Sequence, residues 1–308
     1  MTGKLYIDGK DAYSLYQVFI TDNGYKDLVA FPPLKSVESN NWAEEDGEEF
    51  DLSAPVLDTR ELSIKFSFHG NYARFGTFIE LLSDRAYHDF NFTEIGKTYR
   101  LRLVSQPDML QISTLGIFSL RFADDFPLSE YSYVAPSANI VPQQGYEIDG
   151  RDLSEYGVYV LKGGEAEIQK LPTVKKNLLQ NIKTNSGAIY DGELVNFQTK
   201  DVKLNCLMRA NNLSEFWRNY NAFLYDLVRP GERQLYVDAT CCEYPCYYKS
   251  CSVTEFSPIG KIWFQFSLAL VFTSFRVLGE EFLLASEDDF LIITEDDDYA
   301  INLSIYDN

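Results

Sequence analysis

The side chains able to do chemistry are few, and most of them sit in one short stretch. "CCEYPCYYKSC" places Cys241, Cys242, Cys246 and Cys251 close together. Thiolates bind zinc, but zinc sites pair one CxxC with a second CxxC or with two histidines, and neither stands nearby. The chain has five cysteines, an odd number that fits reduced thiols better than a complete set of disulfides. These four are weak metal candidates, and the residues read as holding no metal or other cofactor. A nucleophile activated by histidine would need His69 or His88, the only two histidines. One follows an alternating strand and the other stands near a helix end, where an exposed or hydrogen-bonded histidine is the ordinary outcome. No GxGxxG follows a strand, and neither GxxxxGK[ST] nor HExxH occurs. The chain reads as something other than an enzyme.

Acidic clusters are the remaining candidates. "EEDGEEFD" (Glu44–Asp51) and "SEDDFLIITEDDD" (Ser286–Asp298) could supply oxygen ligands to calcium, but neither has the DxDxDG spacing. Solvated loops explain them better. Glu44, Glu45, Asp46, Glu48 and Glu49 lie in a polar excursion between two strand patterns, which makes them candidates for a subunit contact. The matching excursion in the second half lies near Asn177–Gly192. The net charge of −19 opposes any ligand held by phosphates, so specific nucleic-acid binding is not expected. Residues 279–308 carry ten acids and no base. They read "FLLASEDD" then "FLIITEDD", short apolar strands between acidic turns that order on a partner.

Those residues are positioned by a sequence that begins twice. "IDGKD" at Ile7–Asp11 returns as "IDGRD" at Ile148–Asp152, and "FPPLK" at Phe31–Lys35 returns as "LPTVK" at Leu171–Lys175. Leu62, Ile64, Phe66 and Phe68 alternate as one half-buried strand, and Val202, Leu204, Cys206 and Met208 do the same 140 residues later. One helical stripe follows each strand: Phe75, Phe78, Ile79, Leu82 and Ala86, then Leu213, Phe216, Trp217, Tyr220, Phe223, Leu224 and Leu227. Asn212 with Glu215 opens the second helix as a variant capping box, and Pro230-Gly231 closes it. A strand pair ends each copy, "TYRLRLV" with "GIFSLRF" and "RQLYVDA" with "KIWFQFSLALVF". On that alignment the cysteines fall in an insertion of the second copy and Trp217 stands opposite Gly76.

The expected fold is mainly β: two tandem small antiparallel barrels or sandwiches, each with one packed helix. The expected domains are 1–128 and 148–278, joined by a linker over 129–147 and followed by the acidic segment 279–308. With 45% hydrophobic residues, including 21 Tyr and 22 Phe, the chain can build both cores. "MTGKLYIDGK" has no apolar signal core, and no stretch reaches the ~20 apolar residues of a membrane helix, so a soluble protein is expected.

"IDGRDLSEYGVYVLKGG" followed by "LPTVKKN" resembles the N-terminal domain of distal tail proteins of long-tailed bacteriophages. The resemblance covers residues 148–275 best and 7–126 more loosely, where "SLYQVFI" replaces "EYGVYVL". It implies that the two domains are tandem tail-tube-like split β-barrels, and that the chain is a virion building block of a phage or prophage tail or baseplate, with no catalytic site and no cofactor. Such a protein is made in the bacterial cytoplasm and forms a ring around a DNA channel, joining the tube to the tip. Its partners would be itself, as a trimer with pseudo-six-fold symmetry or a hexamer, and other tail proteins. A surface or secreted carbohydrate-binding β-protein is the alternative, on the strength of the abundant Tyr and Phe.

Overall fold

The computed structural model describes residues 1–21, 24–43, 45–70, 72–112, 114–129, 131–175, 183–184, 186–187 and 195–274. The acidic segment 279–308, Glu44 and most of the excursion at 177–192 lie outside the described residues. The motif that begins each copy is a turn followed by a cap. β1 (Leu5–Ile7) and β2 (Lys10–Asp11) form a hairpin through Asp8 and Gly9, at φ 50° and 76°. A two-residue type I′ turn requires two successive left-handed residues, and Asp-Gly supplies them cheaply. Asp11 then caps α1 (Ala12–Tyr16), its Oδ1 accepting the Ser14 N–H at 2.6 Å.

The first copy continues through β3 (Val18–Ile20) and an excursion holding the small hairpin β4 (Ser39–Asn40) and β5 (Glu49–Phe50). It closes with β6 (Arg60–His69), α2 (Tyr72–Ser83), β7 (His88–Phe92), β8 (Lys97–Ile112) and β9 (Leu115–Asp124). The second copy repeats the order as β10 (Tyr146–Ile148), β11 (Arg151–Asp152), a 3-10 turn at Leu153–Tyr156, β12 (Val158–Val160) and α3 (Gly164–Gln169). β13 (Lys200–Ala210), α4 (Leu213–Leu227), β14 (Arg233–Val237), β15 (Cys242–Ser257) and β16 (Ile262–Phe272) complete it. Here Asp149 and Gly150 make the turn at φ 51° and 74°, and Asp152 caps Ser154 at 2.7 Å.

Two seven-stranded antiparallel sheets result, ordered β2-β1-β7-β8-β9-β6-β3 and β11-β10-β14-β15-β16-β13-β12. Strand for strand these are the same topology, so the protein is mainly β with a duplicated sheet. The alternating residues of β6 and β13 are buried in both copies, beneath Phe75, Phe78 and Leu82 of α2 and Phe216, Tyr220, Phe223 and Leu227 of α4. Asn212 Oδ1 caps α4 through the Glu215 N–H at 2.9 Å, and the helix stops short of Pro230. Ala86 falls beyond the end of α2, and the short helices α1 and α3 have no periodic signal long enough to announce them. Among the described residues no helix is long and apolar enough to cross a membrane.

The closing strands align differently from the expectation. β14 corresponds to β7, and β15 to β8, because each pair holds the same place in the sheet order. The shift between copies is 140 on β6 and β13, and it grows to 145 at the helices, where α4 has 15 residues against 12. Ring contacts fix that register. Phe78 lies 5.7 Å from Tyr16 and 6.1 Å from Phe118, as Phe223 lies 5.1 Å from Tyr156 and 6.4 Å from Phe266. Trp217 therefore stands opposite Tyr72, not Gly76, and Cys242, Cys246 and Cys251 belong to a sheet strand, with Cys241 in the turn before it, rather than to an insertion. "HDFNF" is too short and polar to separate from a helix end by pattern. Pro245 and the half-exposed tyrosines blur the alternation of β15.

The segment expected to be linker runs along the second copy. Tyr133 donates to Asp226 Oδ2 at 3.0 Å, the Ser137 N–H to Asn219 Oδ1 at 3.1 Å, and Gln144 bonds the Val160 backbone in both directions. The second sheet already begins at Tyr146.

Gly157 ends the 3-10 turn at φ 75°, and a Cβ there would collide with the backbone carbonyl oxygen of Arg209. Gln17 holds the equivalent place at φ 56°. Gly157→Ala is expected to lower stability by at least about 1–2 kcal/mol, the left-handed penalty alone. A urea titration checks this, and an unchanged midpoint would contradict it.

Candidate assembly surface

The repeated motif leads first to a structural cluster in each copy. Asp8 Oδ2 lies 2.7 Å from His88 Nδ1, and Asp8 Oδ1 accepts the Asp89 N–H at 3.0 Å. Asp149 does the same work: Oδ2 accepts from Arg233 and Arg229 at 2.7 Å each, and Oδ1 from the Gln234 N–H at 2.9 Å. Burial opposes the charge on Asp8, but bonds from His88, the Asp89 N–H and Arg85 outweigh it and hold the carboxyl below its ordinary range. His88 is thus a buried anchor between turn and sheet, while His69 is exposed at the end of β6.

The cysteines divide in the same way. Cys246 is sealed in the core, with its thiol pushed up by burial. Cys251 lies beside Phe31, and burial pushes its thiol up to about 12. Five residues of extended strand separate those two by roughly 15 Å. Cys241 sits at the turn before β15 and Cys242 opens that strand, their Sγ atoms directed at the carbonyls of Asp238 and Thr240. Among the described residues no group of three His, Cys, Asp or Glu is placed to hold a metal ion.

The acidic excursion reaches the other copy of the same chain. Asp46 Oδ1 accepts the Phe197 N–H at 2.8 Å, and the Gly47 N–H donates to the Phe197 carbonyl at 2.8 Å. Lys175 Nζ donates to the Trp42 carbonyl at 2.6 Å. Glu48 accepts from Ser39 and Asn41, and Glu49 from the Trp42 indole, so these two brace the loop itself. Glu45 stands in the same bend.

A second contact between the copies starts at "FPP". Phe31 is 1% exposed, yet its ring lies in the second copy, 4.5 Å from Tyr220, 5.9 Å from Phe223 and 5.6 Å from Phe266. Backbone hooks flank it. Tyr220 donates to the Ala30 carbonyl at 3.2 Å, Tyr248 to the Pro32 carbonyl at 2.9 Å, and the Leu34 N–H to the Lys249 carbonyl at 3.0 Å. Burial raises the titration of both tyrosines, so each stays a neutral donor. Trp217 completes the seal, donating to the Ile95 carbonyl at 2.6 Å with Lys97 Nζ 5.2 Å from its ring centre.

Arg60 holds the clasp in shape from the first copy. It is buried, pairs with Asp124 at 2.6 Å and donates to the carbonyls of Leu28 and Ala30 at 2.9 and 2.8 Å. Burial opposes its charge, but the neighbouring Tyr99, Tyr220 and Asp124 outweigh that and raise its titration. Behind the contact, Arg60, Lys97, Tyr99, Asp124, Trp217 and Tyr220 line a cavity of about 520 Å³. The chemistry on offer here is recognition of one domain by another through an aromatic plug and backbone hydrogen bonds. Phe31 and the tyrosines that receive it were not singled out in the sequence. The doubled "FPPLK"/"LPTVK" marked the place as a repeat, but nothing in it says that one copy is plugged and the other is not.

No family model and no curated protein sequence matches the chain. Among solved structures, SPP1 Dit (gp 19.1), described as a paradigm of the hub adsorption apparatus in Gram-positive-infecting phages, aligns over 87% of this chain and 97% of its own length. The identity is 12% and the TM-score 0.31, a value that does not establish a shared fold.

Proposed function

We propose that the chain is a structural protein of a phage or prophage tail, a distal-tail or tube-tip component that forms a ring around a DNA channel and joins the tube to the tip. The observation that carries this reading is the junction just described. A clasp of one domain seats on the helix face of a like domain, and a ring of such domains repeats that kind of heterologous contact until it closes. The motif resemblance in the second copy supplies the tail assignment. The role is mechanical, so no catalytic site or cofactor is assigned. The domains are taken as 1–128 and 146–278, the second starting with β10, and the acidic segment 279–308 is assigned to docking on a neighbouring tail protein. A net charge of −19 lets DNA slide through a lumen without adhering. The protein would be made in the bacterial cytoplasm and reside in the virion tail.

Three chains in a pseudo-six-fold ring are favoured over six, because two domains already joined head to tail can occupy adjacent places. Negative-stain images of concentrated full-length protein test the reading. Rings with a central hole are the expected result. Single particles at every concentration, together with binding to a glycan array, would replace it with the carbohydrate-binding alternative.

A further inference from the structure

The internal junction has a donor half and an acceptor half, and each has a counterpart on the opposite copy. The bridge Leu34↔Leu57 at the foot of the first clasp has its equal in Val174↔Phe197 at the foot of the second. The Lys35 N–H donates to the Val56 carbonyl at 2.9 Å, as the Lys175 N–H does to Asn196 at 2.7 Å. Leu171 therefore holds the place of Phe31, and Pro172 that of Pro32. Yet Leu171 is 73% exposed and Val174 40%, where Phe31 is sealed. Behind them Lys200, Tyr244 and Phe272 line a depression of about 200 Å³. These are the places that Arg60, Tyr99 and Asp124 occupy where the first copy meets α4.

The acceptor half is exposed at its rim on the first copy, at Tyr72 and Val104 (41% exposed), while Phe75 at its floor is buried. Tyr72, the equivalent of Trp217, is 55% exposed at the start of α2. Leu103 replaces Tyr248 and Val104 replaces Lys249, and both copies carry the same bulge there, between Leu103 and Ser105 and between Tyr248 and Ser250. Phe75 replaces Tyr220. The two hydroxyls that hook carbonyls in the filled groove are thus apolar in the open one, and the segment that would enter it presents leucine in place of phenylalanine.

We infer that Leu171–Val174 of one chain docks into the groove between α2 and β8 of a second copy of this chain, a head-to-tail contact that repeats the internal junction. The inference rests on the self-assembly proposed above and names the surface that performs it. Leu171 packs at the rim above the buried Phe75, the Val174 N–H meets the Val104 carbonyl, and Tyr72 lies over Thr240 and Cys242 of the neighbour, as Trp217 lies over Ile95 and Lys97.

Sedimentation of the full chain with and without Leu171→Asp tests this, with thermal unfolding as the control for fold. The wild-type chain should associate as concentration rises. The variant should stay a single chain at least ten-fold further up the concentration scale with an unchanged melting temperature, because Leu171 touches little within its own chain. A second measurement uses Tyr72→Cys in a Cys241→Ser background with a short bismaleimide. It should give a ladder of multiples of the chain mass that disappears when Cys242→Ser or Leu171→Asp is added. A wild-type chain that assembles while Leu171→Asp assembles equally well overturns the docking surface and leaves self-assembly standing. A wild-type chain that never associates overturns both. A ladder that survives Cys242→Ser overturns the register.

Discussion

Phe31→Ala is expected to cost about 3–5 kcal/mol, the usual toll for emptying a buried phenylalanine site. The effect should be confined to the junction, because the ring touches Tyr220, Phe223, Phe264 and Phe266 of the second copy. With the plug in place the two sheets should unfold together. Without it, the second copy keeps its own core and the first loses its tie, so calorimetry should resolve two transitions in place of one. Leu171→Ala at the equivalent place is the control. Its side chain is exposed, so its effect on the isolated chain should stay within about 0.5 kcal/mol. Equal effects of the two substitutions, or a single undivided transition in Phe31→Ala, would show that the copies are not coupled through this ring.

Arg60→Met is expected to be as costly, about 3–5 kcal/mol, for a different reason. The substitution fills most of the volume but leaves Asp124 as a buried carboxylate without its 2.6 Å partner. It also strips donors from the Leu28 and Ala30 carbonyls, which set the exit angle of the clasp. Adding Asp124→Leu should recover most of the ion-pair part and none of the carbonyl part. Denaturant titrations of the single and double variants separate the two. If Arg60→Met alone changed stability by less than about 1 kcal/mol, the buried pair would not matter to the fold.

What the sequence revealed and what it hid follow from the range of each interaction. The Asp-Gly turns, the Asn212 cap and the alternation of β6 and β13 are set by neighbours along the chain, so the duplication and the mainly β fold could be read directly. The mismatch of the closing strands came from β7, five residues whose buried face opens on a histidine and whose other face is Asp89 and Asn91, and from β15, whose Pro245 and bulges break the period of two. The clasp was legible only as a repeated string. That Phe31 is buried against a ring 189 residues away at Tyr220 depends on how two finished sheets meet, and no local pattern encodes it. His88 reads as a lone histidine until Asp8 is brought 80 residues back to its Nδ1.

In the proposed assembly, the contact joining the two copies inside the chain also joins one chain to the next and closes on itself. Native mass spectrometry of the concentrated full-length protein tests this most directly. The account predicts a closed species of three chains, about three times the 35.3 kDa chain mass, with no continuing series above it. A six-chain ring, or a single chain at every concentration, would contradict it.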